Sequence, residues 1–269
     1  MLEIERKLIE LRKRQPDIGV ATISFNRLPI FQPTLRPVYQ EKTFETRHGR
    51  INFRGKLGQH HKSLLETILY LRKLYDLDEE KMCLSVLYNE YEVKRYLTQG
   101  STTYSHEWYQ KLLMDMMHAT FSVERGKEAR SRTLIKDKIP SDNYIRRTKS
   151  NLPTLKERNI QYMILVFGEL ASYLISKELK FTYDPRPITA LKNGISQALV
   201  RYIKTFTRHP SAGYYLRTLL ENLLQEELEN KRWWKIREYL KEDAEILESE
   251  NIGITIDFKR DRVFVTKSK

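Results

Sequence analysis

The sequence predicts a mainly α chain with small β-hairpins, an α+β fold, and three observations carry that expectation. The first is Asn230–Ser249, NKRWWKIREYLKEDAEILES, where Trp233, Ile236, Leu240, Ala244 and Leu247 recur every three or four residues and mark the apolar face of a basic helix. The second is Gly253–Thr266, GITIDFKRDRVFVT: Ile254, Ile256 and Phe258 alternate with polar residues, Lys259-Arg260-Asp261 turns the chain, and Val263, Phe264 and Val265 lead back. The third is that helices followed by a hairpin also occur earlier in the chain, in the same order and with no visible sequence identity. A cationic helix followed at once by a hairpin with a basic tip is how a winged helix-turn-helix ends. The expectation is therefore two winged-helix domains in tandem.

Taken in order, Met1–Pro16 is charged throughout, lacks the apolar stretch of a signal peptide and reads as a short helix. Val20–Pro37, with Pro29, Pro33 and Pro37 and no period, is a connecting arm. Residues 1–36 thus form an N-terminal helix and arm, residues 37–168 the first winged helix and residues 169–269 the second. Within the first, Lys42–Lys56 alternates about a turn at His48-Gly49 and reads as a hairpin. Leu57–Leu74 keeps one face largely apolar and is helical. Met82–Leu87 is a short strand, Asn89 is placed to cap a helix to about Leu97, and Ser105 to cap another through Met117. Thr120–Glu124 and Thr133–Lys138 read as two strands around a basic loop, Arg125–Arg132. Tyr144–Asn159 is polar and charged, a loop or linker, and Tyr162–Phe167, YMILVF, is a strand completing the first domain's sheet. Glu169–Leu174 is a short helix. In the second domain, Ile188 to Phe206 carries the spacing of one helix, with Pro187 suited to its first turn. Ser211-Ala212-Gly213 breaks it, and Tyr214–Leu224 is the next helix.

Composition narrows the function classes. A net charge of +13, interspersed along the chain, points to a polyanionic partner. Cys83 is the one cysteine, so disulfides within the chain are impossible and a cysteine-based zinc site is not expected. It sits in an apolar run as a structural thiol, and a reducing cytoplasm fits. No run approaches the ~18 apolar residues of a membrane span, so no membrane partner is expected. There is no GxxxxGK[ST] phosphate loop. The six histidines show no ligand spacing, and the adjacent pair His60-His61 opens a helix, where capping and packing outweigh a metal role. No catalytic residues, metal or cofactor are therefore expected.

The basic clusters remain. Phosphate contacts need mobile cations on an exposed tip. Arg125, Lys127, Arg130 and Arg132 in the first domain, and Lys259, Arg260 and Arg262 in the second, occupy matching places after a helix. Lys231, Arg232 and Lys235, with Arg237 and Lys241 beyond, lie on the second presumed recognition helix. The first recognition helix offers Ser105, His106, Tyr109, Gln110 and Lys111, a less cationic set suited to base or shape reading. Trp233 and Ile236 belong to the core, whereas Trp234 does not fit the apolar face.

The order of parts across PVYQEKTFETRHGRINFRGKLGQHHKSLLETILYLRK (Pro37–Lys73), LYNEYEVKRYLTQGSTTYSHEWYQKLLMDMMHATFSVE (Leu87–Glu124), ITALKNGISQALVRYIKTF (Ile188–Phe206) and KIREYLKEDAEILESENIGITIDFKRDRVFV (Lys235–Val265) resembles the plasmid replication initiators of the Rep/TrfA type. The resemblance is one of apolar spacing and element order. It implies tandem winged helices that bind repeated double-stranded origin sites, called iterons, and promote origin opening. It also implies self-association as a homodimer through the first winged helix, recruitment of host replication proteins such as helicase or initiator, and a bacterial cytoplasmic location with nucleoid or plasmid. The acidic stretch Glu242-Asp243-Glu245-Glu248 departs from the pattern, because it opposes close backbone approach at the end of the second recognition helix. The alternatives are a winged-helix transcriptional regulator and, in a different class, a DNA-nicking or primase-like replication enzyme, which would need a metal cluster.

Overall fold

Two antiparallel sheets, four strands each, organise the first half of the chain, which makes the fold mixed α/β rather than mainly α. The computed structural model describes residues 19–46, 49–98, 105–125, 128–140, 162–177 and 179–266. The expected helix at Met1–Pro16 and the linker at Tyr144–Asn159 lie outside these residues.

The first sheet has the order β2-β3-β6-β7, built from β2 (Gln40–Thr46), β3 (Gly49–Gly55), β6 (Thr120–Arg125) and β7 (Glu128–Thr133). The expected N-terminal hairpin is β2–β3, and its apolar positions Phe44, Ile51 and Phe53 are buried beside Phe121 of β6. The second sheet has the order β4-β5-β9-β8, from β4 (Leu74–Asp78), β5 (Cys83–Asn89), β9 (Tyr162–Phe167) and β8 (Ile135–Pro140). Its central strands are buried on both faces, which is why they read as apolar runs. Leu84, Val86, Tyr88, Met163, Leu165 and Phe167 enter the main core, while Leu74, Leu87, Ile139, Tyr162, Ile164 and Val166 form a separate cluster on the other face.

The chain passes from one sheet to the other at Leu134, whose N–H donates to Ala119 and whose carbonyl accepts from Gly168. A Cβ on Gly168 would lie 1.9 Å from the Thr133 carbonyl oxygen, so only glycine fits this crossing. Here the sequence expectation is corrected. The basic stretch Arg125–Arg132 is not a loop: Arg125 ends β6 and Glu128–Arg132 belongs to β7, the two strands paired from Arg125–Glu128 to Thr120–Thr133, and the strand expected at Thr133–Lys138 is β8, a member of the other sheet. Strand β7 has no signature in the sequence, because EARSRT carries no apolar alternation.

Around these sheets lie β1 (Ala21–Thr22), α1 (Ile23–Arg27), α2 (Gln59–Tyr70), α3 (Glu90–Leu97), α4 (His106–His118), α5 (Glu169–Lys177) and β10 (Lys180–Phe181), which pairs with β1. The caps are those the sequence indicates. Asn89 Oδ1 accepts from the Glu92 amide at 3.2 Å and Ser105 Oγ from the Trp108 amide at 3.1 Å. Ala171, Leu174 and Ile175 of α5 pack in the first core, and the second core begins at Ile188.

The second half runs α6 (Arg186–Thr189), α7 (Gly194–Ile203), β11 (Tyr214–Tyr215), α8 (Leu216–Leu224), α9 (Asn230–Glu242), α10 (Ala244–Glu248), β12 (Ile254–Asp257) and β13 (Arg262–Val265). The three strands have the order β11-β13-β12. Two helices expected as continuous are broken, and one buried carboxylate sits at both breaks. Asp243 ends α9, and its oxygens accept the amides of Lys192 and Asn193 at 2.8 and 3.0 Å just before α7. The apolar spacing runs through both breaks because Ile188, Leu191, Ile195, Leu240 and Leu247 are all buried regardless. Tyr214–Tyr215, expected as helix, is strand because it pairs with β13.

The halves meet at α2 and α7. Arg201, 1% exposed at its side chain, bonds Glu66 through Nε at 2.9 and 3.0 Å and Nη2 at 2.9 Å. Its other donors reach Ser63 Oγ (2.9 Å), Gln59 Oε1 (2.8 Å) and Gln197 Oε1 (3.4 Å), so every guanidinium nitrogen has an acceptor. Tyr183 Oη adds a bond to Glu66 at 2.7 Å. Beside them the Lys62 amine donates to the Phe25 carbonyl, and burial pushes its pKa down to about 7. The arm threads this seam. The Thr34 carbonyl accepts from the Gln59 amide at 3.0 Å, and a Cβ on Gly194 would stand 2.5 to 2.7 Å from the Thr34 backbone.

Candidate nucleic-acid interface

The basic residues of the second half come together because α9 is tied to the tip of the β12–β13 hairpin. Arg237 leaves α9, forms an ion pair with Asp261 and donates to the Phe258 carbonyl. Asp261 takes a positive φ of 53°, and Asp257 Oδ1 accepts the amides of Lys259 and Arg260 at 2.9 and 3.0 Å, which closes the turn. Lys259 and Arg260 are left exposed on that tip. Arg262 is half-buried, its guanidinium 3.5 Å from the centre of the Tyr215 ring and 3.3 Å from the Gly213 carbonyl.

On α9, Lys231 and Lys235 are exposed, and the Lys235 amine stands 5.8 Å from the Tyr239 ring centre. Arg232 is half-exposed and paired with Glu226, so part of its charge is already answered. Trp233, Ile236 and Leu240 are in the core as the periodicity predicts, and Trp234 is 59% exposed. In the sequence Arg237 is one of several cations on the helix. Its role as the tether to the hairpin depends on a contact across 24 residues, and no local pattern signals it.

In the first half, α4 differs from expectation in one residue of consequence. Tyr109 is 1% exposed, its hydroxyl is 2.9 Å from that of Tyr88, and burial pushes both phenols well up. It is a core residue, not a DNA-reading one. The helical period would have flagged it, since Tyr109, Leu112, Leu113 and Met116 share one buried face. Ser105 spends its hydroxyl on the cap. His106 is exposed, its Nδ1 accepting from Lys94 Nζ at 2.7 Å. Gln110 accepts from Lys138 at 3.3 Å. Lys94 and Lys138 also grip the buried Glu90 at 2.6 and 2.8 Å; burial alone would raise this carboxyl, but the two ammonium groups hold it below its usual value. The solvent stripe of α4 is Glu107, Lys111, Met114 and His118, close to neutral. Arg125, Arg130 and Arg132 belong to the β6–β7 pair, in register with Glu128, Val123 and Phe121, and Lys127 lies outside the described residues.

The histidine pair takes structural roles. His61 Nδ1 accepts the Gly58 amide at 3.1 Å, which leaves Nε2–H to donate to Asp115 Oδ2 at 3.2 Å. His60 meets the Trp108 ring edge-on at 5.4 Å, and burial, with His61 and Arg201 adding to it, pushes its pKa down to about 4. Cys83 is half-buried with its thiol pKa raised by that burial. Among the described residues no group of three or more His, Cys, Asp or Glu is placed to hold a metal ion, and no helix is long and apolar enough to cross a membrane.

No protein-family model matches the chain, and no curated protein matches its sequence. Among solved structures it is similar to the crystal structure of domain 2 and domain 3 of RctB, at a TM-score of 0.58 and 14% identity, over 91% of this chain and 96% of that one. At that identity the likeness is one of fold, and its extent takes in both halves.

Proposed function

We propose that this chain is a sequence-specific, double-stranded-DNA-binding initiator of replication, which binds repeated origin sites and promotes origin opening without catalysis of its own. The observation that carries this reading is the fold likeness to RctB, a replication initiator, across both halves. The local geometry supports it. The second half has the order helix, strand, helix, helix, hairpin with the first strand paired to the last, an order compatible with a winged helix. Its α9 presents Lys231 and Lys235 to solvent, and its hairpin presents Lys259 and Arg260.

On this reading α9 enters a major groove and the hairpin tip holds the flanking phosphates. The first half keeps the order α2, β5, α3, α4, β6–β7, but β5 pairs with β9 instead of the hairpin. It would read DNA more weakly through α4 and supply the dimer contact and the surface for host replication proteins. Of the acidic residues that depart from the initiator pattern, Asp243 is buried at the break, and Glu245 and Glu248 lie past it on α10, where they need not approach the backbone.

A footprint on the DNA flanking the gene tests the proposal. Protection of direct repeats of about twenty base pairs, roughly two turns of groove for two helices, beside an AT-rich tract is the expected result. Protection of a single palindrome at a promoter would replace it with a transcriptional regulator, and no protection of any DNA would overturn it.

A further inference from the structure

Trp233 and Trp234 are neighbours on α9 with opposite surroundings. Trp233 is 5% exposed in the second core, whereas Trp234 is 59% exposed. Its ring is nonetheless held in place: the Arg237 guanidinium lies 5.1 Å from its centre, and that guanidinium is itself fixed by Asp261, the Phe258 carbonyl and the face of Trp233. Helical spacing sets Lys231, Trp234, Lys235 and Glu238 along one exposed stripe. Lys259 and Arg260 stand on the hairpin tip that Arg237 joins to this helix. The result is an exposed indole set against an anchored guanidinium, with cations on its helix and on the adjoining hairpin tip.

The cations select a polyanion, and the indole asks for an apolar feature on it. A protein partner fits poorly, because the helix neighbours of Trp234, Lys231, Arg232, Lys235 and Glu238, are charged and exposed. The apolar feature that a DNA major groove presents is the C5-methyl of thymine. We propose that Trp234 is a specificity-determining residue, packing its indole on a thymine methyl while Lys231 and the hairpin cations Lys259 and Arg260 meet phosphates. The inference rests on the DNA-binding reading of α9 and deepens it.

The probe is a duplex selected by the full-length chain from a random-sequence pool. Replacing its thymines by uracil one position at a time should weaken wild-type binding about 3–5-fold at one or two positions, the value of one methyl group removed from water. Trp234→Ala should bind the selected duplex about 10-fold more weakly, bind random duplex within about 2-fold of wild type, and lose all sensitivity to uracil. Its thermal unfolding should match wild type, since the ring is outside the core. The tryptophan emission that wild type has and Trp234→Phe lacks should shift to shorter wavelength on the selected duplex.

If no uracil position affects wild type, if Trp234→Ala keeps the same uracil sensitivity, or if it loses selected and random duplex equally, the thymine contact is wrong while DNA binding stands. If the chain selects no duplex, the DNA-binding reading falls and this inference falls with it.

Discussion

Replacing Glu66 by Gln should destabilise the protein severely, because it strips a buried cation of its counter-charge at the seam between the halves. The side chains of Glu66 and Arg201 are 2% and 1% exposed. The carboxylate accepts from Arg201 Nε and Nη2 and from Tyr183, so the substitution keeps the volume but removes the negative charge that faces these three donor atoms. Breaking a buried pair from one side costs about 3–5 kcal/mol, most of it the desolvation of the charge left behind. With a urea slope of about 3 kcal/mol per M, the unfolding midpoint should fall by about 1–1.7 M. Circular dichroism at equilibrium is the assay, with Glu66→Leu combined with Arg201→Met as the second arm. That apolar pair removes both charges at once and should be more stable than Glu66→Gln, because neither ion is then buried unpaired. A midpoint within about 0.3 M of wild type for Glu66→Gln, equivalent to under about 1 kcal/mol, would refute the argument. So would an apolar pair no more stable than the single variant.

Three further outcomes follow from the same structure. Lys259→Ala with Arg260→Ala should weaken binding to all duplexes about equally and reduce the salt slope of the affinity by roughly 1–2, whereas Lys235→Ala should lose more on the selected site than on random DNA; equal losses on both DNAs for every variant would remove the sequence-reading role of α9. His60 has its folded pKa lowered to about 4 from 6.5, so its contribution to stability is whole above pH 6.5 and is lost as pH falls toward 4; the unfolding midpoint should drop through that window, and a His60→Gln variant with the same drop would assign it to other groups. The purified chain should neither hydrolyse ATP nor nick supercoiled origin plasmid in Mg²⁺ or Mn²⁺, and a covalent protein–DNA adduct through any tyrosine would install the nicking-enzyme reading in its place.

What the sequence determined by itself is what depends on near neighbours. The apolar spacing of Leu64, Leu65, Ile68 and Leu69, the caps at Asn89 and Ser105, the alternation of Ile254, Ile256 and Val263, and the YMILVF run all became the elements that their patterns announce. Each is decided within a turn of helix or a pair of strands. The basic character of α9 and its hairpin was legible for the same reason. The tertiary structure decided what distant residues decide. It put β8 beside β9 instead of β7, because strand pairing is chosen by the partner available and not by the strand's own pattern. It broke two periodic helices on one carboxylate, Asp243, whose bonds to Lys192 and Asn193 span 51 and 50 residues. It buried Arg201 against Glu66 across 135 residues, where each alone reads as a solvated charge, and it tied Arg237 to Asp261 across 24. Periodicity tells which face of a helix is apolar, but only the packed neighbours settle which polar or aromatic side chains share that face.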